Sequence, residues 1–208
     1  MSQMSLFDDL TAAAPDLNPY ADGLHRRQLG RGAWLDLRPG WVIRPDLLME
    51  QLSERVPWYG ERRQMYDRVI DVPRLLSFHG PQDRWPHPML ERMRSELSAH
   101  YRPELGEDFV SAGLCLYRNG RDSVAWHGDR IGRSAGEDTM VVIVSLGGVR
   151  RLALRPRGGG RGLQVPMSSG DVVVMGGSCQ RTWDHCVPKM HEATRSRISV
   201  QYRVADVR

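Results

Sequence analysis

Gly170-Asp171-Val172-Val173-Val174-Met175-Gly176-Gly177 reads as a turn, an apolar β-branched strand and a glycine turn. The same grammar recurs on both sides of it. VVIVSLGG (141–148) lies upstream and RISVQYRV (197–204) downstream. From Phe109 onward, short strands separated by glycine turns dominate, as an all-β jelly roll requires. Before Phe109 the pattern is helical. Pro45 suits a first helical turn, and the helix it starts runs to about Arg55, where Pro57-Trp58-Tyr59-Gly60 ends it. A second helix runs from Pro88 to His100, with Met89, Met93 and Leu97 on one face. The expected fold class is mainly β: a double-stranded β-helix (jelly roll) with N-terminal helices backing one sheet. Residues 1–30, small, polar and without a sustained period, are expected to be a flexible tail, and 31–208 one domain.

The last strand alternates strictly. Ile198, Val200, Tyr202 and Val204 share one face; Arg197, Ser199, Gln201 and Arg203 share the other. A solvent-facing polar side would look the same. Two guanidiniums on one face, roughly 20 Å apart by strand rise, could instead converge on a small dicarboxylate, since the planar fork of arginine pairs bidentately with carboxylates.

His127-Gly128-Asp129 places an imidazole and a carboxylate two residues apart, so both can face one side of a strand that the preceding Ser123-Val124-Ala125-Trp126 supports. Taken alone, the triplet reads equally as a surface histidine beside a turn aspartate. His185 follows the 170–177 strand, in Trp183-Asp184-His185-Cys186-Val187-Pro188-Lys189, and could bring a second imidazole from a neighbouring strand. A core histidine bonded to a carbonyl is its other reading. Two histidines and one carboxylate are the ligand set of non-haem Fe(II) oxygenases. Cys115, Cys179 and Cys186 do not follow a zinc-finger or ribbon spacing and read as reduced thiols.

Composition bounds the rest. The 208 residues suffice for one catalytic domain with a core, and no apolar run approaches membrane-spanning length. The start of the chain carries no secretory pattern, and three cysteines without a framework fit a reducing cytoplasm, the expected location. A net charge of +4 is a mild bias toward polyanions. The charge clusters at Arg150, Arg151, Arg155, Arg157 and Arg161 around Gly158-Gly159-Gly160, and again at Arg62, Arg63, Arg68 and Arg74. Such clusters solvate a surface or track phosphates.

Taken together and in order, HGD (127–129), VVIVSLGG, GDVVVMGG, WDHCVPK (183–189) and RISVQYR (197–203) resemble the AlkB family of Fe(II)- and 2-oxoglutarate-dependent dioxygenases over roughly residues 40–205. The resemblance implies His127, Asp129 and His185 as iron ligands. It implies Arg197 on the distal carboxylate of 2-oxoglutarate, Arg203 nearer the keto-acid end and Tyr117 as a hydrogen-bond partner of the co-substrate. Where the family often carries asparagine, this chain has Cys115 and Ser199, and each change removes an amide from the co-substrate pocket. The implied cofactors are Fe(II), 2-oxoglutarate and O2. The implied reaction is oxidative demethylation of 1-methyladenine or 3-methylcytosine in DNA, a direct-reversal repair, with formaldehyde released. The same chemistry on RNA or protein is one alternative; a non-catalytic nucleic-acid- or clamp-binding protein is another.

By position, residues 56–86 would form the family's nucleotide-recognition lid, with Tyr66, Phe78 and Trp85 able to stack on a flipped base. Each taken singly is also a packing residue. Arg150 and Arg151 would contribute to substrate binding. In the tail, Gln3-Met4-Ser5-Leu6-Phe7 resembles the short peptides by which bacterial repair and replication proteins dock on the sliding clamp. Gln3 would sit at the groove edge, with Leu6 and Phe7 in an apolar pocket.

Overall fold

The computed structural model describes residues 14–65, 68–129, 136–191 and 195–207, with backbone alone at 63–65 and 68–71. Along the chain run β1 (Asp16–Leu17), β2 (His25–Gly30), β3 (Ala33–Arg38), β4 (Val42–Ile43), α1 (Pro45–Arg55), β5 (Tyr59–Met65), β6 (Arg68–His79) and α2 (Pro88–Leu105). Then follow β7 (Ser111–Tyr117), β8 (Val124–His127), β9 (Val141–Gly147), β10 (Arg150–Pro156), β11 (Leu163–Met167), β12 (Val172–Gly177), α3 (Cys179–Thr182), β13 (Trp183–Val187) and β14 (Arg197–Arg203). The major sheet has the order β2-β3-β12-β9-β14-β7-β6-β5, and the minor sheet β11-β10-β13-β8. The two face each other as a jelly roll, with α1 and α2 on the outside of the major sheet.

The valine run forms β12, paired with β3 on one side and β9 on the other. Gly170 turns the chain into it at φ +90°, where an added Cβ would come within 3.0 Å of the Val42 carbonyl. β14 lies between β9 and β7, so both its edges are paired, and nearly all its residues on either face are buried. Ile198, Val200 and Tyr202 pack toward the helices. The Tyr202 hydroxyl donates to the Leu90 carbonyl at 2.9 Å, and Trp85 stacks on its ring at 6.2 Å. From α2, Met89, Met93 and Leu97 enter this core, each burial stabilising by about 1.5–3 kcal/mol. The helix continues past His100 to Leu105 and stops at Gly106, which takes the left-handed conformation. Tyr101 accounts for the extra turn: it is buried, and its hydroxyl donates to Asp36 of β3 at 2.9 Å.

Residues 14–30 are not tail. They contribute β1 and β2, and Leu17 and Tyr20 join the core. β2 is an exposed edge strand without apolar alternation, which is why the sequence gives no strand signal there. Antiparallel pairing with β3 holds it, with Arg26 bridging to Asp36 across the hairpin at 2.8 Å and to Glu104 of α2 at 2.9 Å. The 56–86 region is mainly the β5–β6 hairpin, which extends the major sheet beyond β7. Tyr66 lies outside the described residues, as do Gln3, Leu6 and Phe7. Among the described residues, no helix is long and apolar enough to cross a membrane.

Candidate active site

β8 and β13 are neighbours in the minor sheet, and their register sets His127 directly opposite His185. The two imidazole centroids are 4.2 Å apart. Asp129 follows β8 and turns back, bringing Oδ1 to 3.5 Å from His127 Nε2. One donor atom from each of the three residues lies within 4.8 Å of the others. The protonation states suit a divalent cation. His127 Nδ1 lies 2.9 Å from the Ala125 carbonyl, which can only accept. Nδ1 is therefore the donor of this pair, and Nε2 is the nitrogen turned toward Asp129. Burial, reinforced by His127, pushes His185 down to about 4, so its ring is neutral near pH 7. Burial would raise the Asp129 carboxyl, but Arg203 and the two imidazoles outweigh it and hold the group below the usual carboxylate range. Two imidazoles and one carboxylate could hold Fe(II) on one face.

The segment between the donors is fixed from behind. Asp129 N–H donates to Gln180 Oε1 of α3 at 3.0 Å. Arg157 donates from Nε to Asp184 at 2.8 Å, next to His185, and its guanidinium lies over Gly128. Neither Gln180 nor Gly128 carries a sequence signal of this role.

The opposite wall of the pocket is the inner face of β14. Arg197, Ser199, Gln201 and Arg203 all line it, together with Tyr117 and Cys115 of β7. The polar side of the alternating strand thus faces a cavity between the sheets, not solvent. Arg203 donates to Asp129 Oδ2 from both Nε and Nη2, at 3.0 and 2.8 Å. Arg197 is different. It is 2% exposed, its Nε donates to Ser145 at 2.8 Å, and its Nη1 is buried without a partner. No carboxylate among the described residues pairs with it. Its guanidinium lies over the Tyr117 ring at 5.3 Å, and burial raises the Tyr117 phenol, which stays protonated and able to donate. Between Cys115 and Ser199 sits the Gln201 amide, accepting from the Cys115 thiol at 3.6 Å and donating to the Ser199 hydroxyl. An amide is therefore present in the pocket after all, supplied from a neighbouring position.

The expected substrate contacts divide. Arg150 is 1% exposed and donates to the carbonyls of Asn119, Asp122 and Pro188, so it cannot track phosphates. Its guanidinium instead covers the Tyr117 ring at 5.3 Å. Trp85 is buried on the helix side of the major sheet, its indole N–H on the Gly80 carbonyl, and does not reach the pocket. Arg151 is exposed on β10. Phe78 is 48% exposed and, by alternation, shares the side of β6 from which Arg74 reaches the pocket. Arg74, grouped in the sequence with surface arginines, lines the same cavity as the metal donors, with Nη1 on the Ser123 carbonyl and Nε buried without a partner.

Residues 46–203 match the 2OG-Fe(II) oxygenase superfamily. The chain is similar to the alpha-ketoglutarate-dependent dioxygenase alkB homolog 3 of Homo sapiens, at 28% identity over 80% of this chain and 64% of the human one. It is similar to the protein of the same name from Bos taurus at 29% identity, with the same coverage of each chain. The chain thus spans under two thirds of the length of these relatives. Its fold resembles the solved structure titled "The structure of OsALKBH1", with a TM-score of 0.52 and 15% identity, over 86% of this chain and 100% of that one. Fe(II), 2-oxoglutarate and O2 are the cofactor set that goes with the superfamily, and the donor set and the unpaired Arg197 fit them. With site and sequence in agreement, the chain belongs to the 2OG-Fe(II) oxygenase superfamily, and within it resembles the AlkB homologues.

Proposed function

We propose that this protein is an oxidative demethylase of N-methylated bases in DNA, of the 1-methyladenine and 3-methylcytosine type. The observation that carries the reading is Arg197: a fully buried guanidinium without a carboxylate partner, on the wall of a cavity that also holds His127, Asp129 and His185. A buried charge left unpaired is costly, and an anionic ligand removes that cost.

His127, Asp129 and His185 hold the metal through three donors. Bound Fe(II) supplies the dioxygen activation that couples 2-oxoglutarate decarboxylation to hydroxylation of the methyl group. Arg197 takes the distal carboxylate of 2-oxoglutarate, Tyr117 donates to the co-substrate, and Arg203 keeps Asp129 ionised. Val124, Ile143, Leu152 and Val187 line the cavity and exclude water. One oxygen atom ends in succinate and the other in the methyl group, which leaves as formaldehyde and restores the base N–H or ring nitrogen; carbon dioxide is the remaining product. No side chain need act as a base. The substrate base has to leave its stack to enter, and Phe78 and Arg74 stand on the side where it would be gripped.

The test is formaldehyde and succinate release after anaerobic Fe(II) loading and addition of air and 2-oxoglutarate. Oligonucleotides carrying 1-methyladenine or 3-methylcytosine are compared as DNA and as RNA. Release of both products only with methylated DNA supports the reading. Preference for the RNA moves the substrate. Succinate without formaldehyde keeps the oxygenase and rejects the base. Neither product, with metal bound, rejects the catalytic reading.

A further inference from the structure

The proposed reaction uses the inner face of the minor sheet. The outer face has its own chemistry. Along β10, Leu152 and Leu154 point inward, whereas Arg151, Ala153 and Arg155 point outward. On β13, Asp184 and Cys186 are the outward neighbours of His185. On β8, the residue before His127 is Trp126, and its indole is 40% exposed. The Arg155 guanidinium lies over that indole at 4.3 Å. The ring fixes the charge in place, and half of the Arg155 side chain remains open to solvent.

The charge on this face is unbalanced. The outward side chains of β8, β10, β11 and β13 include one acid, Asp184, against Arg151 and Arg155. Asp184 is already committed to Arg157 at 2.8 Å, while Arg155 stands at 3.8 Å from it. Arg151, on the same outward side of β10, has no acidic partner among the described residues. An exposed indole, a guanidinium laid over it and a second free guanidinium along the strand match a flexible polyanion that carries flat rings.

We propose that the outer face of the minor sheet docks single-stranded nucleic acid flanking the nucleotide held in the pocket, a base stacking at Trp126 and phosphates pairing with Arg155 and Arg151. This rests on the nucleic-acid reading of the substrate. β8 is the edge strand of its sheet, and Trp126 is chain neighbour to His127. A strand leaving the cavity over that edge therefore meets Trp126 directly. An acidic peptide would satisfy the arginines but leave the indole face unused.

The experiment measures binding of fluorescent, unmethylated oligothymidine of 15 and 3 nucleotides by anisotropy across a salt series, with a 15-residue polyglutamate as the peptide arm. Methylated-oligonucleotide turnover is assayed separately. The 15-mer is expected to bind the wild type more tightly than the 3-mer. Arg151→Glu/Arg155→Glu should erase that advantage and lower the salt slope by about 1.4, two single-strand phosphate contacts at about 0.7 each. Trp126→Ala should weaken the 15-mer about ten-fold, and Trp126→Phe, which keeps a ring, should restore most of it. A length advantage that survives the charge reversal overturns the proposal, as does polyglutamate binding as tightly as the 15-mer. Loss of the 15-mer advantage in a protein that still turns over methylated DNA supports this face. Intact 15-mer docking without turnover of any methylated oligonucleotide refutes the demethylase reading and leaves the face standing.

Discussion

Gly128 is expected to tolerate no side chain, and the reason is space. An added Cβ would stand 2.4 Å from Arg157 Nη2, 2.9 Å from the Gln180 carbonyl oxygen and 3.4 Å from that of Trp183. Carbon and nitrogen meet at roughly 3.5 Å, so the overlap with Arg157 is about 1 Å. Arg157 cannot simply swing away. Its Nε holds Asp184 at 2.8 Å and its backbone N–H holds the Thr182 carbonyl at 2.8 Å. Pushing it loads the strand that carries His185. Gly128→Ala should therefore cost about 1–3 kcal/mol in overpacking. It should also weaken metal binding about 10- to 100-fold, the range for disturbing groups that orient ligands. Calorimetric titration with Mn(II), a redox-stable stand-in, reads the affinity, and melting of the metal-free protein reads the fold. Arg157→Ala in the Gly128→Ala background removes the shortest contact and should recover about 1–2 kcal/mol of coupling in the double-mutant cycle. Wild-type Mn(II) affinity in Gly128→Ala, or a double variant no better than the single one, would refute the reasoning.

Arg197→Met should leave the melting temperature of the metal-free protein unchanged or higher, because it removes a buried unpaired charge. It should also abolish the upshift that 2-oxoglutarate produces in the Mn(II) protein, about 2.7 kcal/mol at a hundred-fold excess over Kd; a normal upshift would take Arg197 out of the pocket's chemistry. Trp85→Ala should lower stability by about 3–5 kcal/mol in urea unfolding while KM for a methylated oligonucleotide stays put. Phe78→Ala should do the reverse, and a raised KM in the Trp85 variant would contradict its placement. Burial lowers His79, His87 and His185, the last to about 4, so the unfolded chain binds more protons than the folded one. Stability should be complete above about pH 6.5 and fall as pH drops toward 4. A urea midpoint that rises on acidification across that window would contradict the sign.

The core strands were legible because their residues leave little choice. Val172-Val173-Val174 suits a covered strand, and the alternation of β14 declares two faces. Alternation does not say what each face meets. The polar side of β14 turned out to line a cavity because it faces Val124, His127, Leu152 and His185 of the minor sheet. Its Gln201 could have been read with Arg197, Ser199 and Arg203, which share its parity. β2 could not be read, since its residues show no apolar alternation and it is held by pairing with β3 and by Arg26 reaching Asp36 across the hairpin and Glu104 of α2. Arg150 and Arg151 are neighbours of one type in one strand, yet one is an internal donor to three carbonyls and the other is exposed. Only the parity of β10 relative to the second sheet distinguishes them.

The guanidiniums around the cavity also bear on how many oxygens Asp129 could offer a cation. Arg203 directs both its Nε and its Nη2 to Oδ2 of Asp129, leaving Oδ1 turned toward His127. A carboxylate held in this way offers a cation one oxygen rather than two. The protein would then supply three donors, leaving the rest of a coordination shell for a keto acid and dioxygen. Arg203 is thereby committed to the metal side, Arg150 to three backbone carbonyls and Arg157 to Asp184. Arg197 has the Ser145 hydroxyl and the Tyr117 phenol, both neutral, and no carboxylate among the described residues. On the proposed reading, a dianionic co-substrate entering between the sheets would meet Arg197 on the wall opposite the imidazoles, a guanidinium without a carboxylate partner, and would lie with its distal carboxylate toward β14 and its keto acid toward His127 and His185.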